Sequence, residues 1–469
     1  MGFIYGLAAI LVIFEGIIIQ CEVAEDVTLS NRIQDLPHLP NDVIELIITK
    51  TDIPTIHKII REKIVRTTDI TMSGILKSHI ILIGPLALHG KIDEYFLKGD
   101  FFLRFGNYRQ LLLFFKRFGN QVKKISISYS SSDEDVPHEE INENIIKKYA
   151  KNFEELRIVS RNDGGFWDEI SKEENNIIFP KVKMLQIRSD TRQNEFKWNL
   201  IFPKLESLKL FGGVVHDNCL ENVVGLKELT LFTSDSIEGH QLDHIFANNK
   251  NMTMVRLKWP YRMETMYSIA KHLTMLKTLE VDWPGENFLL RQNNNTVVKL
   301  PSVNHFIIII DNMIEVFRNG DLDLSFEMPH LKKLTLDGDQ ADGRIVNFIK
   351  HFGELETVEL FLNVCGVIEC IEKLKHIKEF TFNFFENEFD SLKNVFENFD
   401  KNSKLQTLKF VHFNELFYET YKKEMKEFNM HLKNSMKPTW TLSREERIET
   451  RRNYLVFRRE PRTCHSFKK

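Results

Sequence analysis

A short apolar pattern recurs twelve times between residues 122 and 410 of this 469-residue chain. Each copy has an apolar residue, two other residues, a second apolar residue, one other residue and a third apolar residue. The first and last copies begin 283 residues apart, which gives a mean period of about 26 residues. Twelve copies at a consistent period predict a repeat architecture rather than three separate domains. The copies are Val122/Ile125/Ile127, Phe153/Leu156/Ile158, Val182/Leu185/Ile187, Leu205/Leu208/Leu210, Leu226/Leu229/Leu231, Met252/Val255/Leu257, Leu276/Leu279/Val281, Val303/Phe306/Ile308, Leu331/Leu334/Leu336, Leu355/Val358/Leu360, Ile377/Phe380/Phe382 and Leu405/Leu408/Phe410.

The spacing within and between the copies predicts an α/β fold. The last two apolar residues of each copy are two positions apart, so in a strand both side chains lie on one face. Between copies, apolar residues at helical spacing form single stripes. A strand followed by a helix every 21 to 31 residues predicts parallel strands joined by helical crossovers. The stripes are Leu242/Ile245/Phe246, Met266/Ile269/Leu273, Ile345/Phe348/Ile349/Phe352 and Leu392/Val395/Phe396/Phe399.

The pattern and its period resemble those of leucine-rich repeat proteins. The resemblance implies a solenoid with a curved parallel sheet on its concave side and helices mostly on its convex side. One repeat cannot bury its apolar face alone, whereas twelve stacked repeats would share a continuous core. That core must accommodate many rings, because the chain contains 37 Phe.

Three helices are predicted before the first copy. Residues 39–48 (LPNDVIELII) open a short amphipathic helix that Asn41 or Asp42 can cap. Pro54 then breaks the chain, and residues 56–65 and 108–118 have the spacing of a second and a third helix. A helical region here would also cover the open end of the first repeat, which a solenoid needs.

A helix of this sequence followed by such repeats resembles the F-box family, and residues 111–128 are similar to the start of the repeats in insect F-box/leucine-rich proteins. An F-box is a small helical hook that docks on a Skp-type adaptor of a cullin ubiquitin ligase, while the repeats select the substrate. F-boxes usually carry a Trp in their third helix, and this chain has none before Trp167. A degenerate F-box kept as a repeat cap, or a chance match, are the alternatives. By resemblance the adaptor-binding residues are Leu39, Pro40, Val43, Ile44, Ile47 and Ile48.

The N-terminal residues and the cysteines bear on localisation. Residues 3–19 are apolar apart from Gly6, Glu15 and Gly16, which is the pattern of a signal peptide or a short anchor. A helix buried against the fold, or an N-terminal extension from a wrongly chosen start codon, would show the same apolar pattern. The five cysteines are scattered, and neither end has the Cys-rich cap of extracellular repeat proteins. We therefore expect a cytoplasmic or nuclear protein, with the secretory pathway as the alternative if the leader is a signal peptide.

The sequence contains no motif of catalysis, cofactor binding or metal binding. A nucleophile elbow, a P-loop, GxGxxG, HExxH and a CxxC pair are all missing. Residues 337–343 (DGDQADG) are similar to a calcium loop, but Phe348 stands where an EF-hand needs Glu, so we interpret them as a turn. We interpret the acidic residues 130–144 as a solvated loop. The expected protein is not an enzyme and has no cofactor and no metal.

The outward positions of the predicted strands are the candidate partner-binding site. Residues between the inward apolar positions point to the opposite face of a sheet. Several of them are apolar or aromatic at the strand ends, and an apolar patch with a few charges suits a protein partner. The alternative is that the rings fold over the strand ends into the core. The candidates are Phe211, Phe232, Arg256, Trp259, Glu280, Trp283, Ile307 and Phe361, with Ile309 in the same row.

The C-terminal tail is basic. Residues 437–469 carry ten Lys/Arg and four Glu, a net charge of +6, so the rest of this −3 chain carries −9. Thr441 or Ser443 can cap a helix that contains Arg444, and residues 454–457 read as a last strand or a cap. We interpret the tail as a cap with a basic face. Nucleic-acid binding is not expected, because aromatic and basic residues do not alternate along it.

Four regions and one function follow from these patterns. We expect a hydrophobic leader over residues 1–24, an F-box-like helical region and N-terminal cap over 36–120, repeats over 121–413, and a C-terminal cap with a basic tail over 414–469. The expected function is protein binding, as a substrate receptor that holds an unknown protein on its concave face within a Skp-type adaptor and cullin ligase. The alternative is a secreted or membrane-tethered leucine-rich repeat recognition protein.

Overall fold

The computed structural model divides the chain into two compact units, Met1–Ser78 and His79–Lys469. The predicted leader, the six adaptor-binding residues and Trp259 lie outside the residues that the structure describes. The described residues all belong to the second unit. They are 79–83, 101–104, 108–130, 138–161, 177–189, 198–212, 220–232, 239–258, 263–283, 297–310, 326–341, 345–364, 374, 376–383, 404–412, 430, 440–447 and 452–459.

The unit is mixed α/β and contains one long, mostly parallel sheet. Within the described residues, sixteen strands form this sheet, in the order β17-β18-β16-β15-β14-β13-β11-β9-β8-β7-β6-β5-β4-β3-β1-β2. Fourteen of them run parallel, and β17 and β18 form an antiparallel hairpin at one edge. The strands are β1 His79–Ile83, β2 Phe101–Arg104, β3 Lys124–Ser130, β4 Glu155–Arg161, β5 Met184–Ser189, β6 Ser207–Phe211, β7 Glu228–Phe232, β8 Met254–Leu257, β9 Thr278–Trp283, β11 His305–Ile310, β13 Lys333–Ala341, β14 Thr357–Val364, β15 Glu379–Asn383, β16 Thr407–His412, β17 Trp440–Arg447 and β18 Arg452–Arg459, with β10 Val298–Lys299 and β12 Phe326–Glu327 in a separate pair.

Helices connect several of the strands and confirm two of the predicted apolar stripes in full, and the residues Phe348, Ile349 and Phe352 of a third. Helix Tyr108–Phe118 has the bounds that the sequence predicts, and the stripe residues of Gly239–Asn248 and Met263–His272 are buried. The stripe Leu392/Val395/Phe396/Phe399 lies outside the described residues. The other helical segments within the described ranges include Trp198–Ile201 and Ile345–Lys350. They also include a continuous run from His138 to Asn152 that changes from α to π, back to α and then to 3₁₀ geometry.

The twelve sequence copies align in one register across the sheet. Each copy contributes one strand, and the second apolar residue of each copy pairs with the second apolar residue of the next, from Ile125 to Leu408. All 36 residues of the pattern are 4% exposed or less. Burying a side chain of this size stabilises the fold by about 1.5–3 kcal/mol relative to leaving it exposed. The repeated pattern therefore forms one continuous apolar side of the sheet.

A backbone ladder fixes the same register where each strand begins. In all eleven steps between copies, one carbonyl accepts two backbone N–H groups from the next copy. The Lys123 carbonyl, for example, accepts from Glu154 and Glu155 at 2.7 and 3.1 Å. These backbone hydrogen bonds lie immediately N-terminal to the paired strands. A shift of one strand by one residue against its neighbour would therefore break the hydrogen bonds of that step. We call the residues of this ladder the strand-start row: Lys123, Glu154, Lys183, Glu206, Lys227, Thr253, Lys277, Asn304, Lys332, Glu356, Lys378 and Gln406.

A buried asparagine joins one helix to the preceding repeat. The Asn249 side chain follows helix Gly239–Asn248, and its Nδ2 donates to the carbonyls of Val223 and Ile245, both at 2.8 Å. Its Oδ1 accepts the backbone N–H of Leu226, also at 2.8 Å. The side chain thus pairs backbone groups that the helix end and the turn leave unsatisfied.

The N-terminal part of the sheet departs from the prediction. Residues 79–83 and 101–104 fall in the range expected to be helical, yet they form β1 and β2. Ile81 and Ile83 of β1 pair with Ile125 and Ile127 of β3, so β1 continues the apolar pattern. The position three residues before Ile81 is Ser78, which is polar, so the pattern is incomplete there and escapes a search for three apolar residues. β2 pairs on the far side of β1, which reverses the sequential order at this edge.

Three shorter segments also differ from the sequence prediction. Residues 440–447 form β17 rather than a helix, because Leu442 pairs with Phe457 in the hairpin; the predicted strand at 454–457 is confirmed within β18. β13 continues to Ala341 instead of ending in a turn at residue 337. Residues 138–144, expected in a loop, are helical, and the buried Ile141, at the centre of that segment, explains their order.

Candidate functional site: the outward face of the sheet

The face of the sheet opposite the apolar side carries polar rows that run across all twelve copies. The residue between the second and third apolar positions of each copy is paired in register with its counterpart in the next strand. Parallel strands lie about 4.8 Å apart, so neighbours in such a row are in side-chain reach. We call these residues the middle row: Ser126, Arg157, Gln186, Lys209, Thr230, Arg256, Glu280, Ile307, Thr335, Glu359, Thr381 and Lys409.

The middle row is not an open surface. Eight of its side chains are buried and the other four are half-buried, although they point away from the apolar side. A side chain in this row has neighbours on two sides at the strand spacing, so the row shields itself. Buried charges in such a row require partners. The geometry of those partners defines the electrostatics of the face.

At the N-terminal part of the face, Glu155 is held by two cations. Its Oε1 accepts from Arg157 Nε at 2.8 Å and from Nη2 at 2.6 Å, and Lys124 Nζ lies 3.4 Å from its Oε2. Glu155 and Arg157 are two residues apart on β4 and therefore share its outward face. Both are buried, so the contact is shielded from water and from salt.

In the centre of the face, Arg256 and Glu280 are neighbours, as their spacing in the sequence predicts. They are register partners on β8 and β9, and Arg256 Nε lies 3.3 Å from Glu280 Oε2. The Glu280 side chain is almost fully buried, whereas Arg256 is half-buried. The pair joins two adjacent repeats on the outward face.

Further along the face, Lys333 Nζ lies 2.8 Å from Glu359, which also accepts a hydrogen bond from Thr335 at 2.9 Å. Burial acts to raise the pKa of Glu359, but Lys333 and Thr335 together hold it below its usual value. Lys409 Nζ contacts Glu379 at 2.5 Å on the next strands. Both carboxylates are therefore paired with lysines of the same face.

The apolar residues predicted at the strand ends separate into two groups. Phe211 and Phe232 are buried and pack edge to face with their centroids 5.5 Å apart. The interpretation in which rings fold into the core describes these two, and we remove them from the candidate partner surface. The reason is geometric: adjacent in-register rings bury each other at the end of β6 and β7.

The second group remains at the surface but does not form a continuous apolar row. Ile307, Ile309 and Phe361 are half-buried, and Phe361 packs against the buried cluster of Val411 and Val456. Asp337 lies in register between Ile309 and Phe361, so a charge interrupts the row. Trp283 ends β9, and its side chain, like Trp259, lies outside the described part of the structure.

Two residues of the middle row were missed in the sequence and differ from their neighbours. Gln186 is almost fully buried, and its Nε2 has no hydrogen-bond partner. Lys209, on the next strand, is half-buried, and burial lowers its pKa, while the charge of Glu228 opposes this shift. A signal was present: a lysine between Leu208 and Leu210 stands in a strand that is apolar on its other face.

A polar cluster between helices Gly239–Asn248 and Met263–His272 contains the residue types of a catalytic triad in a different arrangement. Asp243 Oδ1 accepts from Ser268 Oγ at 2.6 Å and contacts His272 Nε2 at 3.0 Å. Nucleophilic catalysis needs the serine hydroxyl on the imidazole, whereas here the serine and the histidine both contact the aspartate. The Ser268 hydrogen bond is the largest effect that holds the pKa of Asp243 below its usual value. The cluster ties two helices together.

A groove of about 610 Å³ lies beside the starts of β13–β16. It is lined chiefly by charged residues of the strand-start row and their neighbours, among them Lys332, Glu356, His376 and Lys378. Lys378 pairs with Glu356 at 2.9 Å and lowers the pKa of that carboxyl. Small-molecule pockets are mostly apolar with a few polar groups, so this groove is a solvated edge of the sheet rather than a ligand pocket.

The described residues contain no group of three His, Cys, Asp or Glu arranged to hold a metal ion. Among the same residues, none of the helices is long and apolar enough to cross a membrane. Among the described residues, the outward face therefore carries several paired charges together with buried side-chain atoms that lack a hydrogen-bond partner, on Ser126, Gln186 and Thr381 of the middle row.

Comparison with known proteins adds no relative. No family model matches the chain, and no curated protein is significantly similar to it. Any link to a family therefore depends on the motifs of the sequence together with the in-register sheet that they form.

Proposed function

We propose that this chain is a non-enzymatic leucine-rich repeat protein that binds a protein partner on the outward face of its sheet. The observation that carries the proposal is the single register of twelve copies, which supports a solenoid with one continuous recognition face. Such a face spans many strands and carries charges at a fixed spacing. The surface of a protein partner can carry complementary charges at the same spacing. In this proposal the outward face would be the concave side that the leucine-rich repeat resemblance implies.

The partner residues in this proposal are those that keep accessible surface. Arg256, Ile307 and Phe361 are half-buried and accessible on the outward face, and Trp259 and Trp283 continue the set from the sequence. Glu280 orients Arg256 rather than contacting the partner itself, because its side chain is almost fully buried. A half-buried Arg held by an acid is a typical interface hot spot.

We further propose that the F-box-like segment makes the chain a substrate receptor of a cullin ubiquitin ligase, in the cytoplasm or the nucleus. Leu39, Pro40, Val43, Ile44, Ile47 and Ile48 would contact a Skp-type adaptor, as the resemblance implies. The repeats would then hold the substrate near a ubiquitin-conjugating enzyme. Neither cofactor nor nucleic acid has a part in this function.

Co-purification from cells tests the ligase assignment. We expect the full chain to bring down the adaptor and the cullin, and the double variant Val43→Ala/Ile44→Ala to lose them. If each side chain contributes about 1 kcal/mol, the pair weakens binding about 30-fold. The matched control is Leu200→Ala/Val224→Ala, because both side chains are exposed in the repeats. A wild-type chain that brings down neither protein would refute the ligase assignment and leave the segment as a repeat cap.

The same cells test the secreted or membrane-tethered alternative. Residues 251–253 (NMT) and 294–296 (NNT) are glycosylation sequons. Cleavage after about Cys21, or N-glycans on Asn251 or Asn294, would move the protein to the secretory pathway. An intact N-terminus without glycans supports the cytoplasmic or nuclear assignment. Mass spectrometry of the purified full chain distinguishes the two results.

A further inference from the structure

The serines at the end of β3 precede acidic residues at a fixed spacing. Ser130 is the last residue of β3, and Ser131 and Ser132 follow it in the chain. A protein kinase with a basic substrate groove recognises a serine through the carboxylates that follow it, because opposite charges select the partner. Each of the three serines has such an acid three residues later, in the order Asp133, Glu134 and Asp135.

The last part of β3 has a neighbouring strand on one side only, within the described part of the sheet. The pairing of β1 with β3 ends at Ile127, whereas the pairing of β3 with β4 continues to Ser130. A locally open strand end keeps an extended backbone with free hydrogen-bonding groups, which is the form in which a binding groove takes up a peptide. The backbone at Ser130 is therefore in a conformation that a kinase can bind.

A basic residue occupies the paired position on the next strand. Ser130 is the register partner of Arg161, which is the last residue of β4. The pairing of β4 with β5 ends one position earlier, at Ser160 and Ser189. Paired positions of neighbouring strands are about 4.8 Å apart, and a guanidinium binds phosphate oxygens through two parallel hydrogen bonds. The register thus provides a phosphate on Ser130 with a counter-ion.

We propose that Ser130 is the phosphorylation site of an acid-directed protein kinase and that Arg161 binds the phosphate. The Ser130 hydroxyl oxygen attacks the γ-phosphorus of ATP, the bond from that phosphorus to the β-phosphate oxygen breaks, ADP leaves, and a base of the kinase takes the hydroxyl proton. The added charge of about −1.5 to −2 at pH 7 is repelled by the acids at 133–135 and attracted by Arg161. This modification is independent of the proposed partner binding.

Phosphorylation of the purified full chain with a casein-type kinase and Mg-ATP tests the acceptor. The variant Ser131→Ala/Ser132→Ala leaves Ser130 as the serine of this run, and we expect mass spectrometry to find about one phosphate there. Adding Asp133→Asn should slow the reaction at least fivefold, because it removes the recognised carboxylate. Glu140→Gln changes the charge equally at an exposed position and should leave the rate unchanged. Absence of phosphate on Ser130 would overturn the assignment, whether or not a synthetic peptide of residues 125–140 is modified.

The phosphorus resonance of the singly phosphorylated chain tests the contact with Arg161. An adjacent guanidinium favours the doubly charged phosphate and lowers its second pKa, which is about 6 without a partner. We expect the resonance to titrate about 0.5 pH units or more below that of the phosphorylated peptide of residues 125–140, which carries the same acids. Arg161→Gln should remove this difference. Arg188→Gln is the matched control, since Arg188 pairs with Val159 and not with Ser130.

The melting temperature shows whether the contact stabilises the end of the sheet. Phosphorylation should raise the melting temperature of the Ser131→Ala/Ser132→Ala chain by about 1 °C, and Arg161→Gln should turn this rise into a fall, because only the repulsion then remains. A phosphate that titrates like the phosphorylated peptide, or one that lowers the melting temperature equally with and without Arg161, would refute the proposed contact.

Discussion

The two faces of the sheet are built from alternate residues of the same strands, yet they obey different rules. The inward face uses Leu, Ile, Val, Met and Phe interchangeably, and all 36 positions of the pattern are buried. The outward middle row mixes both charges, hydroxyls, an amide and one isoleucine. An apolar side chain is satisfied by any apolar neighbour of suitable volume, whereas a buried charge needs a specific partner at hydrogen-bond distance. The inward face therefore has the same apolar pattern in every copy, whereas the outward residues differ from one strand to the next.

The largest exception to this contrast lies at the end of β6, where Phe211 occupies an outward position and is nevertheless buried. Phe211→Ala should lower the free energy of unfolding by about 4 kcal/mol. The control is Phe361→Ala, which changes a half-buried ring and should cost about 1–2 kcal/mol. Chemical denaturation of both variants measures the difference. Equal, small losses would return Phe211 to the partner surface.

Adjacent residues of β7 compare the two faces directly. Leu229 points inward and Thr230 outward, and both are buried. Leu229→Ala should cost about 3 kcal/mol because it leaves a cavity in the continuous apolar side. Thr230→Val keeps the shape and removes only a hydroxyl, so its unfolding free energy should change by less than about 1 kcal/mol. A Thr230→Val loss as large as that of Leu229→Ala would mean that a buried hydrogen bond of the Thr230 hydroxyl stabilises the fold as much as the Leu229 packing does.

The side chain of Asn249, which lies outside the outward face, tests whether a buried polar group needs specific partners there as well. Asn249 is buried and satisfies three backbone groups, so Asn249→Ala leaves the Leu226 N–H and the Val223 carbonyl unpaired. The expected loss is about 2 kcal/mol. Asn248→Ala is the matched control, since Asn248 is exposed and donates a single bond, to the Glu221 carbonyl. Thermal melts should separate the two variants clearly. Similar melting temperatures would show that water replaces the Asn249 contacts.

The smallest effect is expected from Asp243, whose pKa in the folded protein lies below its usual value because of Ser268 and His272. A carboxylate of this kind stabilises the fold above the pKa of the unfolded chain, about 4, and loses that contribution as the pH falls through the lower, folded pKa. Asp243→Asn should therefore cost a few tenths of a kcal/mol at pH 7, because the carboxylate is 40% exposed and screened by solvent. The difference from wild type should shrink as the pH falls below about 4. Glu264→Gln, exposed on the next helix, is the control for general charge effects.

The inward face was predictable from the sequence because its requirement is repetitive. Spacing alone located all twelve strands that carry the pattern, and it also placed Arg256 beside Glu280. β1 escaped because Ser78 occupies the first position of its copy. β17 escaped because residues 440–447 carry a local helix signal, whereas their pairing with the next strand, β18, in a hairpin overrides that signal.

The outward face was less predictable for a physical reason. Whether Phe211 lies on the surface or in the core depends on the ring beside it in the next strand, and a single strand does not specify that neighbour. The unpaired state of Gln186 depends likewise on what every adjacent side chain already binds. Such properties belong to pairs and groups of residues, so they emerge only when the register is known.

The strand-start row has a consequence for how such an array could lengthen or shorten. Lysine occupies every odd-numbered copy in this row, and Glu, Thr, Asn or Gln occupies every even-numbered copy. Deleting the single copy that contains Glu206 would place Lys183 and Lys227 on adjacent strands, about 4.8 Å apart, where like charges repel. Deleting two consecutive copies would preserve the alternation. The charge pattern of this row therefore repeats every two copies, and length variants with an even change in repeat number should lose less stability than those with an odd change.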